Sequence, residues 1–369
     1  ILGKEVSRVH STVGPEQEYF LIDRAFYLQR PDLINAGRSL FGAKPPKGQE
    51  MEDHYFGSIR ARILAFMNDV ETECYKLGIP LKTRHNEVAP AQFEVAPIFE
   101  TSAVACDHNM VVMEIFRQVA NKHGLQALFH EKPFAGVNGS GKHNNWSMAT
   151  DKGENLLEPG HTPEENAQFL VMLAVVVRAV NQWGKLLRVG IAHSGNDHRL
   201  GANEAPPAII SIYLGEKLQD VLDGIVKGSK GKSRVGGTLD IGSTTLPTLP
   251  RDASDRNRTS PFAFTGNKFE FRAVGSSQAI ARPNAYLNCA VAESLDFVAT
   301  ELEKKLKGGN NLHDSINAVV QETLAANQRV IWNGDNYTAE WHSEAEKRGL
   351  PNLRNTVDAV QVLHDKDVI

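Results

Sequence analysis

The sequence predicts an α+β protein in which long helices cover one face of a mainly antiparallel, curved β-sheet, and a helical part follows the sheet. Short runs rich in aromatic and β-branched residues, typical of strands, occur in the first three quarters of the chain. Segments with apolar residues three and four positions apart, typical of helices, lie between these runs. After Pro283 the pattern is almost wholly helical. We therefore expect an α+β core at residues 1–283 and a helical part at residues 284–369 that packs on this core.

Three segments are predicted as strands because polar residues occur at every second position within each of them. Residues two apart in a strand point to the same face of the sheet. The predicted strands and their same-face residues are 16–22 with Glu16 and Glu18, 143–147 with His143, Asn145 and Ser147, and 269–274 with Glu270 and Arg272. Gly139 and Gly141 precede the second strand and leave its backbone open to a closely approaching ligand. Each segment taken alone is equally compatible with an ordinary solvated strand face.

Long helices are predicted from apolar periodicity and from capping signals. They are expected at residues 58–77, 102–123, 163–184, 287–306 and 312–331. The third begins with Thr162-Pro163-Glu164-Glu165, a capping box with proline at the first helical position. An insertion at about 214–250 contains an amphipathic piece at 214–226 and then a lysine- and glycine-rich run at 227–234, which is typical of a solvated loop. We expect the amphipathic tail at 341–369 to pack on the helices or on a neighbouring subunit.

Acidic residues recur in the predicted strands, and they indicate a metal site. Side-by-side carboxylates repel each other unless water or a cation screens them. Glu87 and Glu94 form a further acidic pair, and Pro90 between them breaks the strand so that both carboxylates can converge. The candidate ligands are Glu16, Glu18, Glu87, Glu94, His143 and Glu270. This oxygen-rich set suits two or three Mg²⁺ or Mn²⁺ ions, not structural zinc, and such clusters are typical of phosphoryl transfer.

Six motifs, taken in order, resemble those of glutamine synthetases. They are Gly14-Pro-Glu-Gln-Glu18, the segment from Glu87 to Glu94, Asn138-Gly-Ser-Gly-Lys-His143, Arg199 with Asn203-Glu-Ala-Pro206, Arg256-Asn-Arg258, and Glu270-Phe-Arg272. The sequence around Arg199 and Asp255 is most similar to the type III branch of that family. The matching blocks span residues 14 to 288 and resemble the catalytic-domain portion, so the resemblance implies the fold of that domain.

The resemblance also implies roles for individual residues. By similarity, Glu18, Glu87 and Glu94 hold the metal nearer to glutamate, and Glu16, His143 and Glu270 hold the metal that grips the nucleotide phosphates. The amino-acid substrate is expected to contact Glu18, Asn138, Gly139, Arg199 and Arg272, with Arg199 on its α-carboxylate and Arg272 facing its γ-carboxylate. Glu204 resembles the flap carboxylate that takes a proton from ammonium, and it is therefore expected to be catalytic together with Arg199 and Arg272.

The nucleotide residues are implied by the resemblance with several departures from it. Phe99 matches the position that stacks adenine, and Ser147, Arg258 and Lys268 match nucleotide contacts. Lys268 stands where an arginine is expected, and Asn145 replaces the second histidine of the glycine-turn motif. The loop between Arg199 and Glu204 is also shorter than the usual pattern, so the geometry of nucleotide and flap is expected to differ from that of the commoner bacterial members.

The activity implied is ATP-dependent ligation of ammonia to the γ-carboxylate of L-glutamate through γ-glutamyl phosphate, which gives glutamine, ADP and phosphate. The expected partners are L-glutamate, ammonium and ATP. Another ATP-dependent glutamate-amine ligase and a non-catalytic, ligand-sensing relative are the alternatives. From the resemblance we expect that the small amino-terminal β-domain of the family is absent from this chain. Because the family forms stacked rings, we expect a homo-oligomer, most simply a dodecamer.

Composition favours a cytoplasmic protein. The 369 residues carry a formal net charge of -4 at pH 7, and without a broad basic face neither nucleic acid nor an anionic membrane is an expected partner. Cys74, Cys106 and Cys289 lack the paired spacing of a disulfide framework or a zinc site. The longest apolar run, at 169–177, is about half the length of a membrane span, and no segment resembles a signal peptide.

Overall fold

A computed structural model describes residues 4–228, 238–239, 249–250, 259–366 and 368 of the chain. Within these residues the strands are, in chain order, β1 (Val9–Asp23), β2 (Leu81–Asn86), β3 (Gln92–Pro97), β4 (Glu100–Thr101), β5 (Leu125–Leu128), β6 (Gly141–Thr150), β7 (Ile212–Tyr213), β8 (Thr238–Leu239), β9 (Leu249–Pro250), β10 (Phe262–Phe264) and β11 (Phe269–Gly275). The α-helices are α1 (Arg24–Tyr27), α2 (Pro31–Ala36), α3 (Ala61–Lys76), α4 (Ser102–Lys122), α5 (Ala167–Gly190), α6 (Ser194–Asp197), α7 (Gly215–Val226), α8 (Ala281–Lys307), α9 (Leu312–Asn327), α10 (Ala339–Lys347) and α11 (Thr356–Val360).

The main sheet has nine strands in the spatial order β2-β3-β1-β6-β11-β10-β7, with β4 and β5 also paired to β1. Every pairing in it is antiparallel except that of β7 with β10, which is parallel. β8 and β9 form a separate two-stranded sheet. The predicted α+β class with a mainly antiparallel sheet is confirmed, and the three predicted strands lie within β1, β6 and β11.

β1 is the central strand of the site half of the sheet, and its side chains alternate between two environments. Tyr19 is buried on the helix side, where its ring centroid lies 4.5 Å from that of Phe116 in α4 and 6.3 Å from that of Phe66 in α3. Glu16 and Glu18 point the other way and line a cavity. The period of two along β1 therefore separates the apolar core from the polar face.

The second half of the core lies under α5, which packs on α8 and α9. Phe169 of α5 lies with its ring centroid 5.7 Å from that of Phe264 in β10, and Phe262 stacks on Phe269 at 4.9 Å. Of the described helices, α5 alone is long and apolar enough, by length and composition, to cross a membrane. However, 56% of its most apolar window is buried inside the protein, which is typical of a core helix.

Three helix starts differ from the sequence prediction. α8 begins at Ala281, not at residue 287. α3 begins at Ala61, not at residue 58, because Arg60 has extended backbone with φ -66° and ψ 144°. Pro163–Glu165 form only a 3₁₀ turn, and Thr162 makes no capping hydrogen bond. Asn166 caps α5 instead, since its side-chain oxygen accepts from the Phe169 N–H at 3.1 Å. The predicted capping box was therefore wrong, and the helix begins at Ala167.

The carboxyl-terminal tail lies on the preceding helices. Trp341 of α10 is fully buried, and its ring stacks on that of Trp332 with the centroids 4.7 Å apart. Arg188 of α5 donates from Nε to the Leu353 carbonyl at 2.8 Å, and the Thr356 N–H donates to the carboxylate of Asp197 at 2.8 Å. These contacts hold the last helices against α5 and α6.

Candidate active site

The polar face of the sheet opens onto a cavity of about 670 Å³. The acidic and basic side chains that line it are Glu16, Glu18, His85, Glu87, Glu94, His143, Glu204, Lys217, Lys268, Glu270 and Arg272. All six predicted metal ligands are among them, although they come from four segments that are far apart in the sequence. The cavity therefore gathers the acidic residues that strand alternation and the strand break at Pro90 had singled out.

One cluster within the cavity is formed by Glu16, His143 and Glu270, whose candidate ligand atoms all lie within 4.8 Å of one another. Strand pairing places them there, since Glu16 of β1 lies opposite His143 of β6, and β11 pairs with β6 on its other side. His143 Nδ1 lies 3.1 Å from Glu16 Oε2 and 2.9 Å from Glu270 Oε1. Burial alone would lower the pKa of His143, but its hydrogen bonds to the two carboxylates raise that pKa well above its usual value.

A second cluster consists of His85, Glu87 and Glu94, again with candidate ligand atoms within 4.8 Å of one another. His85 Nε2 lies 3.0 Å from Glu94 Oε1 and 3.5 Å from Glu87 Oε1. Burial raises the pKa of Glu94 to about 7. Burial and the nearby charges of Glu18 and Glu94 raise the pKa of Glu87 well above its usual value. The hydrogen bond to Glu94 raises the pKa of His85 to about 9.

The sequence prediction omitted His85. The available signal was its spacing, since His85 and Glu87 are two residues apart at the end of β2, and the β2–β3 register pairs His85 with Glu94. Only the strand pairing makes that spacing meaningful, because a lone histidine in a polar strand is more often a solvated side chain than a ligand. Tyr55 and Tyr213, which also line the cavity, were likewise omitted.

Glu18 lies between the two clusters. Its Oε1 is 3.9 Å from His143 Nε2, and its Oε2 accepts from the Gly141 N–H at 2.5 Å. Burial raises the pKa of this carboxyl group. Crowded carboxylates that resist ionisation are the arrangement that a divalent cation stabilises. The donor sets, rich in carboxylate oxygen with one imidazole each, fit Mg²⁺ or Mn²⁺.

The two predicted arginines occupy different positions. Arg272 lines the cavity, and its Nη2 donates to Glu270 Oε2 at 2.9 Å. Arg199 is buried beside the cavity, where its guanidinium donates to the carbonyls of Arg272 at 3.1 Å and Val274 at 3.4 Å. A Cβ atom at Gly141 would collide with this guanidinium. The glycine therefore allows Arg199 to lie directly under the strand that carries His143.

The Glu204 side chain is hydrogen-bonded to Asn138, the first residue of the glycine-turn motif. Asn138 Nδ2 donates to Glu204 Oε2 at 3.0 Å. Gln49 makes two hydrogen bonds to Asn138. Gln49 Nε2 donates to Asn138 Oδ1 at 2.9 Å, and Gln49 Oε1 accepts from the Asn138 N–H at 2.5 Å. The Gln49 contribution was not predicted, because its loop lies 89 residues from Asn138 in the sequence. Gly139 lies tightly against the Glu131 carbonyl, where a Cβ would not fit.

The predicted nucleotide residues are more dispersed. Lys268 lines the cavity. Ser147 is buried, and its hydroxyl donates to Asn155 Oδ1 at 2.7 Å. Phe99 is 65% exposed and lies outside the cavity lining, next to Gly14. Arg258 lies outside the described residues. Of the four, Lys268 alone is placed in the cavity by the part of the structure that is described.

A mainly antiparallel sheet carries helices on one face and, on the other, two carboxylate–imidazole clusters beside an arginine. This arrangement is suited to a class of protein that holds divalent cations next to anionic ligands. Comparison with protein families identifies the family to which the chain belongs. Residues 4–181 match the family described as "Glutamine synthetase, catalytic domain", and residues 315–369 match "Glutamine synthetase C-terminal domain". The chain belongs to the glutamine synthetase family. Members of this family generally depend on ATP and a divalent metal.

The predicted similarity to the type-3 branch of the family is confirmed. It is 56% identical over 360 residues to the type-3 glutamine synthetase of Dictyostelium discoideum, which covers 98% of this chain and 49% of that protein. It is 52% identical over 363 residues to a glutamine synthetase of Butyrivibrio fibrisolvens, which covers 98% of this chain and 51% of that protein. The chain therefore spans about half the length of these curated relatives.

Solved structures support the fold. The structure titled "GmaS/ADP complex-Conformation 1" superposes with a TM-score of 0.54 and 19% identity, covering 98% of this chain and 65% of that one. The structure titled "Apo GmaS without ligand" gives a TM-score of 0.51 and 20% identity, covering 92% of this chain and 68% of that one. At these identities the likeness concerns the fold alone.

Proposed function

We propose that the protein ligates ammonia to the γ-carboxylate of L-glutamate at the expense of ATP, through γ-glutamyl phosphate, and releases glutamine, ADP and phosphate. The observation that carries this proposal is the convergence of Glu16, Glu18, Glu87, Glu94, His143 and Glu270 in one cavity. Arg272 and Glu204 line the same cavity. The 56% identity to a type-3 glutamine synthetase supports the assignment.

The two clusters are assigned to two or three Mg²⁺ or Mn²⁺ ions per site. Glu16, His143 and Glu270 would hold the ion on the phosphate side, and Glu87 and Glu94, with Glu18, would hold the ion nearer to glutamate. We add His85 to the second group because its Nε2 lies between the two carboxylates. When bound, such ions neutralise charge on the phosphate oxygens during transfer.

Arg272 is assigned to the γ-carboxylate of glutamate and the phosphoryl group that passes to it. Its planar fork of donors matches carboxylate and phosphate oxygens, and Glu270 fixes one end of that fork. Arg199 is assigned to the α-carboxylate, with Asn138 and Gly139 lining the amino-acid pocket. Its Nε is buried and has no hydrogen-bond partner among the described residues, an unsatisfied donor of the kind for which a bound ligand is one explanation.

Glu204 is assigned as the base. Ammonium has no lone pair, so a proton must move from its nitrogen to the Glu204 carboxylate before ammonia can attack the γ-carbonyl carbon. The new carbon–nitrogen bond then forms as the carbon–oxygen bond to phosphate breaks. The loop that carries Glu204 also keeps water away from the acyl phosphate, which water would otherwise hydrolyse. For ATP we assign Lys268, Ser147, Phe99 and Arg258, with Lys268 best supported because it lines the cavity.

We further propose a cytoplasmic homo-oligomer of stacked rings, a dodecamer. Large apolar side chains are exposed on the amino-terminal half of the chain, among them Phe26, Phe41, Met51, Phe56 and Phe99. A neighbouring subunit or a further part of the chain could cover these side chains and so gain free energy from their burial. The free cysteines Cys74, Cys106 and Cys289 suit a reducing compartment.

The test is a coupled assay of the full-length protein with L-glutamate, ATP and ammonium, in which phosphate and glutamine are both measured. We expect one phosphate per glutamine, saturation by ammonium and no turnover of bulky amines. Glu270→Ala should abolish phosphate release, whereas Glu303→Ala, an exposed glutamate on α8, should leave it unchanged. Turnover of polyamines in place of ammonium would instead indicate another glutamate-amine ligase, and a complete lack of phosphate release would remove the proposed activity.

A further inference from the structure

The loop from Gly201 to Pro206 carries Glu204 in a strained conformation. Its ends are tied together by the Gly201 N–H, which donates to the Pro206 carbonyl at 3.0 Å. Asn203 and Glu204 both have positive φ, at 53° and 65°. Asparagine adopts this left-handed region readily, but glutamate does so rarely, and such strain persists only where surrounding contacts enforce it. The contacts that hold Glu204 in this conformation are therefore part of the site.

Two contacts hold the loop, one to the side chain of Glu204 and one to the loop backbone. Asn138 donates to the Glu204 side chain at 3.0 Å. On the backbone, the hydroxyl of Tyr337 donates to the Ala205 carbonyl at 2.9 Å, and its oxygen interacts with the Glu204 N–H. Tyr337 thus contacts the backbone of both Glu204 and Ala205. Burial raises the pKa of this hydroxyl, so it remains a donor at neutral pH.

Tyr337 is itself held firmly by the turn that lies between α9 and α10. Asn336, fully buried, donates from Nδ2 to Ser211 Oγ at 2.9 Å and from its N–H to Thr259 Oγ1 at 2.8 Å. The Tyr337 N–H donates to Asp335 Oδ1 at 2.8 Å, and Thr338 caps α10. The hydroxyl therefore has a fixed position against which the loop can be set.

We propose that Tyr337 is a positioning residue that holds the Glu204 backbone, and with it the Glu204 carboxylate, in place over the cavity. The inference rests on the proposed function, in which Glu204 takes the proton from ammonium and its loop excludes water. Tyr337 does not line the cavity, so it acts through the loop and not on substrate. Loss of its hydroxyl should impair use of ammonium and admit water, while binding of glutamate and ATP is spared.

The first test is Tyr337→Phe, which removes only the hydroxyl. We expect the KM for ammonium to rise about three- to tenfold, the usual effect of losing one hydrogen bond. The ratio of phosphate released to glutamine formed should also rise, because water competes for the acyl phosphate. The KM values for glutamate and ATP should stay within about twofold, as expected for a residue that does not touch them. A merely structural role would lower activity without uncoupling it.

The matched control is Tyr75→Phe. The Tyr75 hydroxyl also donates to a backbone carbonyl, that of Leu81 at 2.8 Å, but on α3 and away from the cavity. This variant should keep coupled activity. The double variant Tyr337→Phe with Glu204→Gln provides a cycle: if Tyr337 acts through Glu204, its effect on ammonium KM disappears once the carboxylate is gone. An effect of unchanged size in that background would overturn the inference.

Hydrogen–deuterium exchange separates this inference from the proposed function. The amide hydrogens of residues 201–205 should exchange faster in Tyr337→Phe than in wild type, with or without activity. If wild type is inactive but exchange rises, the holding contact stands while the proposed function and the catalytic consequence fall. If wild type makes glutamine and Tyr337→Phe remains fully coupled with unchanged exchange, the inference fails and the proposed function stands.

Discussion

Buried carboxylates crowd the polar face of the sheet, and ionising Glu18, Glu87 and Glu94 costs free energy. Burial raises the pKa of Glu94 to about 7, and burial with neighbouring charges raises the pKa of Glu87 well above its usual value. Burial alone would also raise the pKa of Glu270, but the hydrogen bond from His143 and the charge of Arg272 lower it. The site is thus unfavourable for the metal-free protein and favourable for cation binding, a trade of stability for function.

Glu87→Gln should stabilise the protein in the presence of a chelator. The amide removes a buried charge that repels Glu18 and Glu94, so we expect the free energy of unfolding to rise by about 1 kcal/mol. The same change should weaken Mn²⁺ binding. Urea denaturation with chelator and with Mn²⁺ measures both effects. Glu303→Gln on the exposed face of α8 is the control, and equal effects of the two substitutions would contradict charge repulsion as the cause.

Gly141→Ala should disable Arg199. A Cβ at this position would collide with the Arg199 guanidinium, which has strand backbone on its other side and cannot withdraw. We expect kcat/KM for glutamate to fall by about tenfold or more, the loss typical of a displaced bidentate contact. Gly184→Ala in α5 is the control, because its Cβ would meet only Ile210 at 3.8 Å. Normal glutamate kinetics in Gly141→Ala would count against the role of Arg199.

At the scale of elements, local signals located the helices but not always their first residues. The capping box at Thr162 and Glu165 satisfied the sequence pattern, yet Asn166 supplies the cap of α5. Its amide group also donates to the carbonyls of Glu158 and Pro159 at 3.1 and 3.3 Å. These contacts belong to a loop that precedes the helix, and no periodicity within the helix could reveal them. Tertiary context therefore moved the start from 163 to 167.

Asn166→Ala should destabilise the protein by about 1 kcal/mol, the usual cost of losing a helix cap. Thr162→Ala, which alters the residue that the sequence pattern favoured, should change stability by less than about 0.5 kcal/mol. Thermal or urea unfolding of the two variants measures the difference. A larger loss of stability for Thr162→Ala than for Asn166→Ala would instead support the capping box that the sequence pattern predicted.

Asp32 in α2 gives a prediction of pH dependence. Arg30 donates to both of its oxygens, at 2.9 and 2.6 Å, and these hydrogen bonds hold the pKa of Asp32 well below its usual value. A lowered folded pKa contributes stability above the unfolded pKa of about 3.9, and that stability is lost as pH falls through the folded pKa. Asp32→Asn should therefore lower the unfolding midpoint at neutral pH.

The difference in unfolding midpoint between Asp32→Asn and wild type should narrow as pH drops below about 4. Denaturation at a series of pH values measures this difference. Asp53→Asn is the matched control. Asp53 also pairs with a cation, Lys47 at 2.5 Å, but both side chains are exposed, so its loss should change stability little. If the difference in unfolding midpoint between Asp32→Asn and wild type did not depend on pH, the lowered pKa of Asp32 would not be its cause.

At the scale of the whole molecule, the helical part completes a site that the sheet begins. α10 and its preceding turn carry Tyr337 to the Glu204 loop, while Trp341 anchors α10 in the core. The division into residues 1–283 and 284–369 stays a prediction, but the two segments share both core and site contacts. Removing the tail would therefore be expected to affect catalysis as well as stability.

The predicted homo-oligomer is a property of the whole molecule and can be measured directly. From the resemblance to a family that forms stacked rings, we expect the full-length protein to run as a dodecamer in which neighbouring subunits cover exposed apolar side chains of the amino-terminal half. Size-exclusion chromatography with light scattering, or electron microscopy of the particles, gives the subunit number. A stable, active monomer would contradict the ring and would leave those side chains without a covering partner.

The sequence by itself predicted the strands of the site and the six candidate ligands that the cavity brings together. It could do so because alternation along a strand is local, Pro90 breaks the strand between Glu87 and Glu94, and like charges on one face need a cation. Only the tertiary structure decided that His85 joins Glu87 and Glu94, that Arg199 lies beneath Gly141, and that Phe99 lies outside the cavity. It also brought Gln49 and Tyr337 to the Glu204 loop. These placements depend on strand register and on packing between distant segments, which no local pattern encodes.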